Sequence, residues 1–219
     1  MFGRNACLKI DHHNLVNLKV HSIFSTFQGE GPYAGKPAIF IRLSGCNLAC
    51  KFCDTEFDDF ELMSVTHILR TIDKLSDSPN LIVITGGEPL RQNITFLTAQ
   101  LLKRKITVQI ETNGTISSNI PLNCQLVCSP KNTSGKYAML SPKILPHITA
   151  LKFLISADID GYKDIYDVGQ SKFNIPVYVQ PMDQYNPQKN KNNINQTVKI
   201  ARKHNAFISL QIHKLLNIA

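Results

Sequence analysis

The sequence has no run of eighteen apolar residues, which excludes a membrane-spanning helix of ordinary length. Its first ten residues, Met1 to Ile10, hold no apolar stretch of signal-peptide length, which argues against secretion and for the cytoplasm. No internal repeat, low-complexity linker or compositional break divides the 219 residues, so one domain over 1–219 is expected. At 43% hydrophobic and 18% charged, the chain can bury a core and is not compositionally disordered. Six cysteines are too few for a disulfide-stapled miniprotein. Three of them fall within eight positions, which in a cytosolic chain points to metal or redox chemistry. Acids are missing from the end of the chain. All sixteen lie at or before Asp183, while Lys189, Lys191, Lys199, Arg202, Lys203 and Lys214 follow without a carboxylate. The net charge of +8 would suit a nucleic-acid face, but no aromatic interleaving or nucleic-acid motif accompanies it. A solvated basic helix is therefore expected, with no membrane and no nucleic-acid partner.

What the sequence does have is alternation. β-branched runs at Leu18–Phe24, Ala38–Leu43, Leu81–Thr85, Thr107–Glu111, Gln125–Cys128, Leu151–Ile155, Val177–Gln180 and Phe207–Ile212 read as strands. Ser64 reads as the cap of a helix with Val65, Ile68, Leu69, Ile72 and Leu75 as its stripe, and Asn93 as the cap of a second. Weaker helical patterns follow at Asp160–Tyr166 and Asn193–His204. Strand–helix alternation favours a parallel sheet with crossovers. The chemically distinctive residues fall just after strands, which in a parallel barrel places them on one rim. The expected fold is an α/β, incomplete parallel β/α barrel, because 219 residues are short for eight full units.

Cys46-Asn-Leu-Ala-Cys50-Lys-Phe-Cys53 is the strongest motif. A structural zinc site wants four closed ligands. Of the other cysteines, Cys124 and Cys128 lie four apart on an expected strand and read as small buried hydrophobes. Three thiolates leave one corner open, as in a [4Fe–4S] cluster whose free iron binds a further molecule. The alternative is a zinc knuckle completed by His21, His67 or a distant cysteine. Thr85-Gly86-Gly87-Glu88-Pro89 follows thirty-odd residues later. Its glycines let backbone approach a ligand, and Glu88 can accept from an ammonium group. No Gly-x-Gly-x-x-Gly opens a helix here, so a Rossmann site is excluded.

The Cys-x3-Cys-x2-Cys loop with Phe52 before its last cysteine resembles the cluster loop of radical S-adenosylmethionine (SAM) enzymes. The resemblance implies that the open iron chelates the methionine moiety and that reduction yields a 5′-deoxyadenosyl radical, while the protein positions and shields. Within that superfamily the chain is similar to the 7-carboxy-7-deazaguanine synthases. The similarity rests on Phe24–Gly31, Phe40–Cys46 with Arg42, Cys53-Asp54-Thr55, Glu111–Gly114, Ser129-Pro130-Lys131, Gln180–Asp183 and Leu210–Lys214. It runs in consistent order from about Lys19 to the end, with Asn217 and Ala219 standing where Gly and Pro are expected.

That resemblance implies conversion of 6-carboxy-5,6,7,8-tetrahydropterin to 7-carboxy-7-deazaguanine with loss of ammonia, in 7-deazapurine and queuosine biosynthesis. It also implies a homodimer, Mg²⁺, and an electron donor such as flavodoxin or ferredoxin. Cys46, Cys50 and Cys53 would hold the cluster, and Thr55 would share Mg²⁺ with the substrate. Phe52 would pack the adenine, with Cys53, Asp54, Gly87, Ser129, Pro130, Lys131, Gln180, Pro181, Met182 and Asp183 completing the cofactor site. Arg42 would take the substrate carboxylate at two points. Gln28, with the Phe27 and Gly29 backbone, would read the pterin's amide-like edge, with Thr85 beside it. The carboxylate of Ala219 would fold back onto the pterin's N–H donors, since six residues after His213 span at most ~20 Å. Taken singly, these segments also read as ordinary turns and a frayed tail. Two rivals of other classes are a glycyl-radical-activating enzyme acting on a protein, and a non-enzymatic zinc protein that binds RNA.

Overall fold

Side-chain alternation along the strands separates a face that carries core from a face that carries chemistry. Residues 6–14, 16–53, 55–76, 78–132 and 136–218 are described in this computed structural model. The strands are β1 (Asn17–Phe27), β2 (Pro37–Leu43), β3 (Glu61–Ser64), β4 (Leu81–Gly86), β5 (Thr107–Thr112), β6 (Gln125–Cys128), β7 (Ile148–Ile155), β8 (Val177–Pro181) and β9 (Phe207–Ile208). The helices are α1 (Val65–Leu75), α2 (Thr95–Lys103), α3 (Gln170–Phe173), α4 (Pro187–His204) and α5 (Ile212–Leu216). The strands form one sheet in the order β3-β1-β2-β4-β5-β6-β7-β8-β9, with β3 and β9 as its unpaired ends. From β2 to β9 every pairing is parallel, as right-handed crossovers require. The result is the incomplete barrel expected.

On β2, Ile39, Ile41 and Leu43 join the outer core, while Phe40 and Arg42 line the inside. On β4, Ile82 and Ile84 face outward, and Leu81 and Val83 pack with Ala38 within. On β7, Leu151, Phe153 and Ile155 pack outward with Ile200 and Ala201 of α4, whereas Lys152 and Leu154 face in. The outer layer is apolar, and the inner face turns polar toward the rim.

Several expectations need correction. β1 pairs antiparallel with both β2 and β3, and β3 itself, a short edge strand with Glu61 and Leu62 exposed, left no clear pattern. The last strand stops at Ile208 because its ladder reaches only Tyr178 and Val179 of β8; Ile212 to Leu216 are helical instead. Asp160–Tyr166 is a series of turns broken by Gly161 at φ +82°, and the short α3 follows later. α4 starts six residues before Asn193, at Pro187, where the Asn186 side chain accepts from Lys189 N. Ser64 caps α1 as expected, accepting from His67 N at 3.1 Å. Ile94 rather than Asn93 holds the cap position of α2, though Asn93 Oδ1 accepts from Thr95 N. Cys124 lies before β6 rather than in it; both it and Cys128 are buried, in separate parts of the core.

Candidate active site

The rim of the parallel strands opens onto a cavity of about 360 Å³, the size of a small-molecule site. Gly45 (φ +85°) turns the chain off β2 and sets Cys46 on the cavity wall, where Leu8 N also donates to its carbonyl at 2.7 Å. Cys50 and Cys53 line the same cavity, and the Cys53 thiol lies 3.6 Å from Thr55 O. Burial pushes the Cys46 thiol up to about 12 and moves Cys50 in the same direction. Loading metal there releases protons.

The diglycine packs against the root of this loop. A Cβ on Gly86 would lie 2.0 Å from Leu43 O, and one on Gly87 would lie 2.3 Å from Gly45 O and 2.9 Å from Cys46 Cβ. Only glycine fits at either position. Gly87 lines the cavity, but Glu88 does not. The Glu88 side chain is fully buried, accepting from Leu90 N at 3.0 Å, Thr112 Oγ1 at 2.8 Å and Asn113 N at 2.7 Å. Burial pushes its carboxyl up to about 7. The expectation that Glu88 meets an ammonium group is therefore corrected, since its oxygens are turned to the backbone that positions Asn113.

Below the loop and the diglycine, on β2 and β4, Arg42 and Thr85 sit side by side in register, the guanidinium 5.9 Å from the Phe24 ring. Thr85 Oγ1 donates to Glu111 Oε2 at 3.2 Å, and Gln28 and Gln109 donate to Oε1 at 3.0 and 3.1 Å. Phe27 and Gly29 line the cavity, but Gln28 does not. Its amide is buried, held between Glu111 and the Glu30 amide, so it orients a carboxylate rather than facing the space.

On the third side Phe52 meets Tyr162 edge-on, their centroids 5.0 Å apart. Ser129 and Lys131 line the cavity, with Lys131 Nζ donating to Ser129 Oγ at 2.7 Å, whereas Pro130 is buried away from it. Gln180, Pro181, Met182 and Asp183 all line it. Asp183 accepts from Lys214 Nζ and Asn190 Nδ2, both at 2.8 Å. Desolvation works against its charge, but these donors hold its carboxyl below the usual range. Asp54 and Ala219 lie outside the described residues.

The Radical SAM superfamily pattern matches residues 40–122. A 7-carboxy-7-deazaguanine synthase of Rickettsia prowazekii (strain Madrid E) is 48% identical over 100% of this chain and 96% of its own length. The chain belongs to the 7-carboxy-7-deazaguanine synthase family. Another synthase of the family, from Rhodospirillum rubrum, is 34% identical over the full length of both chains. The crystal structure of QueE from Escherichia coli is similar at TM-score 0.75 and 26% identity, over 89% of this chain and 94% of that one.

As a member of this family the protein is a radical SAM enzyme that acts on a small molecule, with a [4Fe–4S] cluster, SAM and Mg²⁺ as cofactors. The residues present fit them. Among the described residues no three His, Cys, Asp or Glu side chains converge as ligands of one ion would. A cubane asks instead for one thiolate per iron, spread around a larger body. His21 is occupied by the Asp59 carbonyl and neither it nor His67 lines the cavity, which removes these two histidines as zinc partners. No helix among the described residues is long and apolar enough to cross a membrane.

Sequence reasoning gave no role to Glu111, Glu30, Lys152, Gln211 or His213, all of which line the cavity. Lys152 had a signal: it is a cation at an inward position of the otherwise apolar run Leu151–Ile155. Glu30 and Gln211 stand in segments that carry the family resemblance, but the pairing of Glu30 with Lys152 and Gln211 arises only through the fold.

Proposed function

We propose that this enzyme converts 6-carboxy-5,6,7,8-tetrahydropterin to 7-carboxy-7-deazaguanine and ammonia, for 7-deazapurine and queuosine synthesis. The observation that supports this most is a single small cavity lined by the three thiols together with Arg42, Thr85 and Glu111. Cys46, Cys50 and Cys53 would hold the cluster, and Thr55 would offer its hydroxyl to Mg²⁺, the substrate adding harder oxygens. When bound, cluster and SAM together supply a 5′-deoxyadenosyl radical.

The chain's own residues do the positioning. Arg42 takes a carboxylate with two parallel N–H donors. Glu111, steadied by Thr85, Gln28 and Gln109, presents oxygens to ring N–H donors. Phe27 and Gly29 bound the same edge, and Ala219 would add its terminal carboxylate there. Phe52, Cys53, Asp54, Gly87, Ser129, Lys131, Gln180, Pro181, Met182 and Asp183 would surround the cofactor, with Pro130 fixing the turn. Asp183 already anchors Lys214, so a ribose hydroxyl would join that pair rather than meet a bare carboxylate.

The same reading makes residues 1–219 one radical SAM domain, active in the cytoplasm as a homodimer. A net charge of +8 suits an acidic flavodoxin or ferredoxin as electron donor. The glycyl-radical-activating alternative needs a site open to a polypeptide, and the C-terminal segment across this cavity opposes that. Anaerobically reconstituted protein, given SAM, dithionite, Mg²⁺ and the pterin, should hold roughly four irons per chain and release the deazaguanine acid. One zinc per chain, or SAM cleavage without any pterin turnover, would overturn the assignment.

A further inference from the structure

The segment Gln28–Gly31 crosses the inside of the open barrel and meets the C-terminal segment there. Gly31 N donates to Ser209 Oγ at 3.0 Å, and Ile212 N donates to Gly29 O at 3.0 Å. At the centre of this contact is Glu30. One of its oxygens pairs with the Lys152 ammonium, and the other accepts from Gln211 Nε2 at 2.8 Å. The pair is secluded, with side chains 15% and 8% exposed for Glu30 and Lys152. Gln211 is the capping residue of α5. Two residues on, the His213 ring packs so closely on Gly29 that a Cβ there would lie 2.0 Å from Nδ1. In the other direction, Glu30 N donates to Gln28 Oε1, and Gln28 in turn holds Glu111.

Building on the pterin-converting reading, we propose that Lys152 and Glu30 are positioning residues that clamp α5 to the barrel and set the pterin half of the cavity. A carboxylate can accept from two elements at once, one per oxygen. Lys152 keeps it ionised and fixes it to β7, so α5 and the Gln28–Glu111 pair share one rigid reference. A purely structural ion pair would be replaceable by neutral groups without consequence for the site.

The test compares wild type, Lys152→Met, Lys152→Arg and the neutral double variant Lys152→Met/Glu30→Gln, all reconstituted. Lys152→Met should raise KM for the pterin at least tenfold, with iron content and substrate-free SAM cleavage unchanged. Amide hydrogen exchange over residues 209–216 should accelerate at least tenfold, with none over 38–46. Lys152→Arg should restore much of both. The double variant should recover thermal stability but not KM, because the charges are gone and so is the clamp. If it recovers wild-type KM and α5 protection along with stability, the pair is structural only and the proposal fails. If wild type itself does not turn over the pterin, the functional reading fails, while the exchange comparison still decides the clamp.

Discussion

At the residue scale, the cysteines divide by surroundings rather than by chemistry. Cys46, Cys50 and Cys53 line the open cavity, while Cys124 and Cys128 are buried in apolar core, where burial pushes both thiols up, Cys124 to about 11. Changing any of the first three to Ala should remove the iron and abolish SAM cleavage. Cys124→Ala and Cys128→Ala should keep full iron content and lose only about 1–2 kcal/mol of stability as small core deletions. Iron and sulfide analysis with thermal denaturation checks both halves. Thr55 gives a sharper case, since its carbonyl meets the Cys53 thiol and its side chain lines the cavity. Thr55→Ala should lower turnover and flatten its Mg²⁺ dependence. Titration of the apo-reconstituted variant with Mg²⁺ measures this, and an unchanged response would leave Thr55 as a turn residue.

At the level of elements, the helix caps act independently of the site. Ser64 lies far from the cavity wall, so Ser64→Ala should cost about 1 kcal/mol in denaturant unfolding and leave kcat/KM unchanged. α5 behaves differently. Ile218 N turns back to His213 O at 3.0 Å, so the chain is still held beside the site one residue before its end. A C-terminal affinity tag should therefore weaken pterin binding at least tenfold, about 1.4 kcal/mol, and spare the cluster and SAM binding. Equal affinity for tagged and untagged enzyme would show that the terminus plays no part. These two helices also mark what the sequence made legible. Ser64 and the stripe from Val65 to Leu75 announce α1, because capping and 3.6-residue spacing are local. Ile208–Ile212 alternates as well as any strand, but its ladder ends at Ile208, and Ile212, Leu215 and Leu216 take the i, i+3, i+4 spacing of a helix. The motifs after the strands were readable because chain direction alone puts them on one rim. The pairings of Glu30 with Lys152 and Gln211 were not, since those partners are 122 and 181 residues away along the chain.

For the molecule as a whole, one buried pair shapes the response to acid. Burial pushes the Glu30 carboxyl up, but the Lys152 ammonium outweighs it and holds the carboxyl down at about 2, against an ordinary value of 4.5. A carboxyl depressed in the folded state adds stability above its unfolded value and loses it as pH falls from about 4.5 toward 2. Relative to Lys152→Met/Glu30→Gln, wild type should lose on the order of 3 kcal/mol across that window in urea titrations, and a parallel pH dependence would disprove it. The crossing of Gln28–Gly31 with the C-terminal segment has a consequence in time as well. Synthesis runs from the N-terminus, so the cysteine loop leaves the ribosome more than 150 residues before Ser209, Gln211 and Ile212 exist. Until they arrive, Glu30 has no Gln211, Gly29 has no Ile212 amide, and the pterin side of the cavity is an open trough. Closing it demands a loop closure of about 180 residues, and contacts of that span form late. The nascent enzyme thus passes through an interval in which its cysteine loop is already made while that side of the cavity still lacks its C-terminal wall.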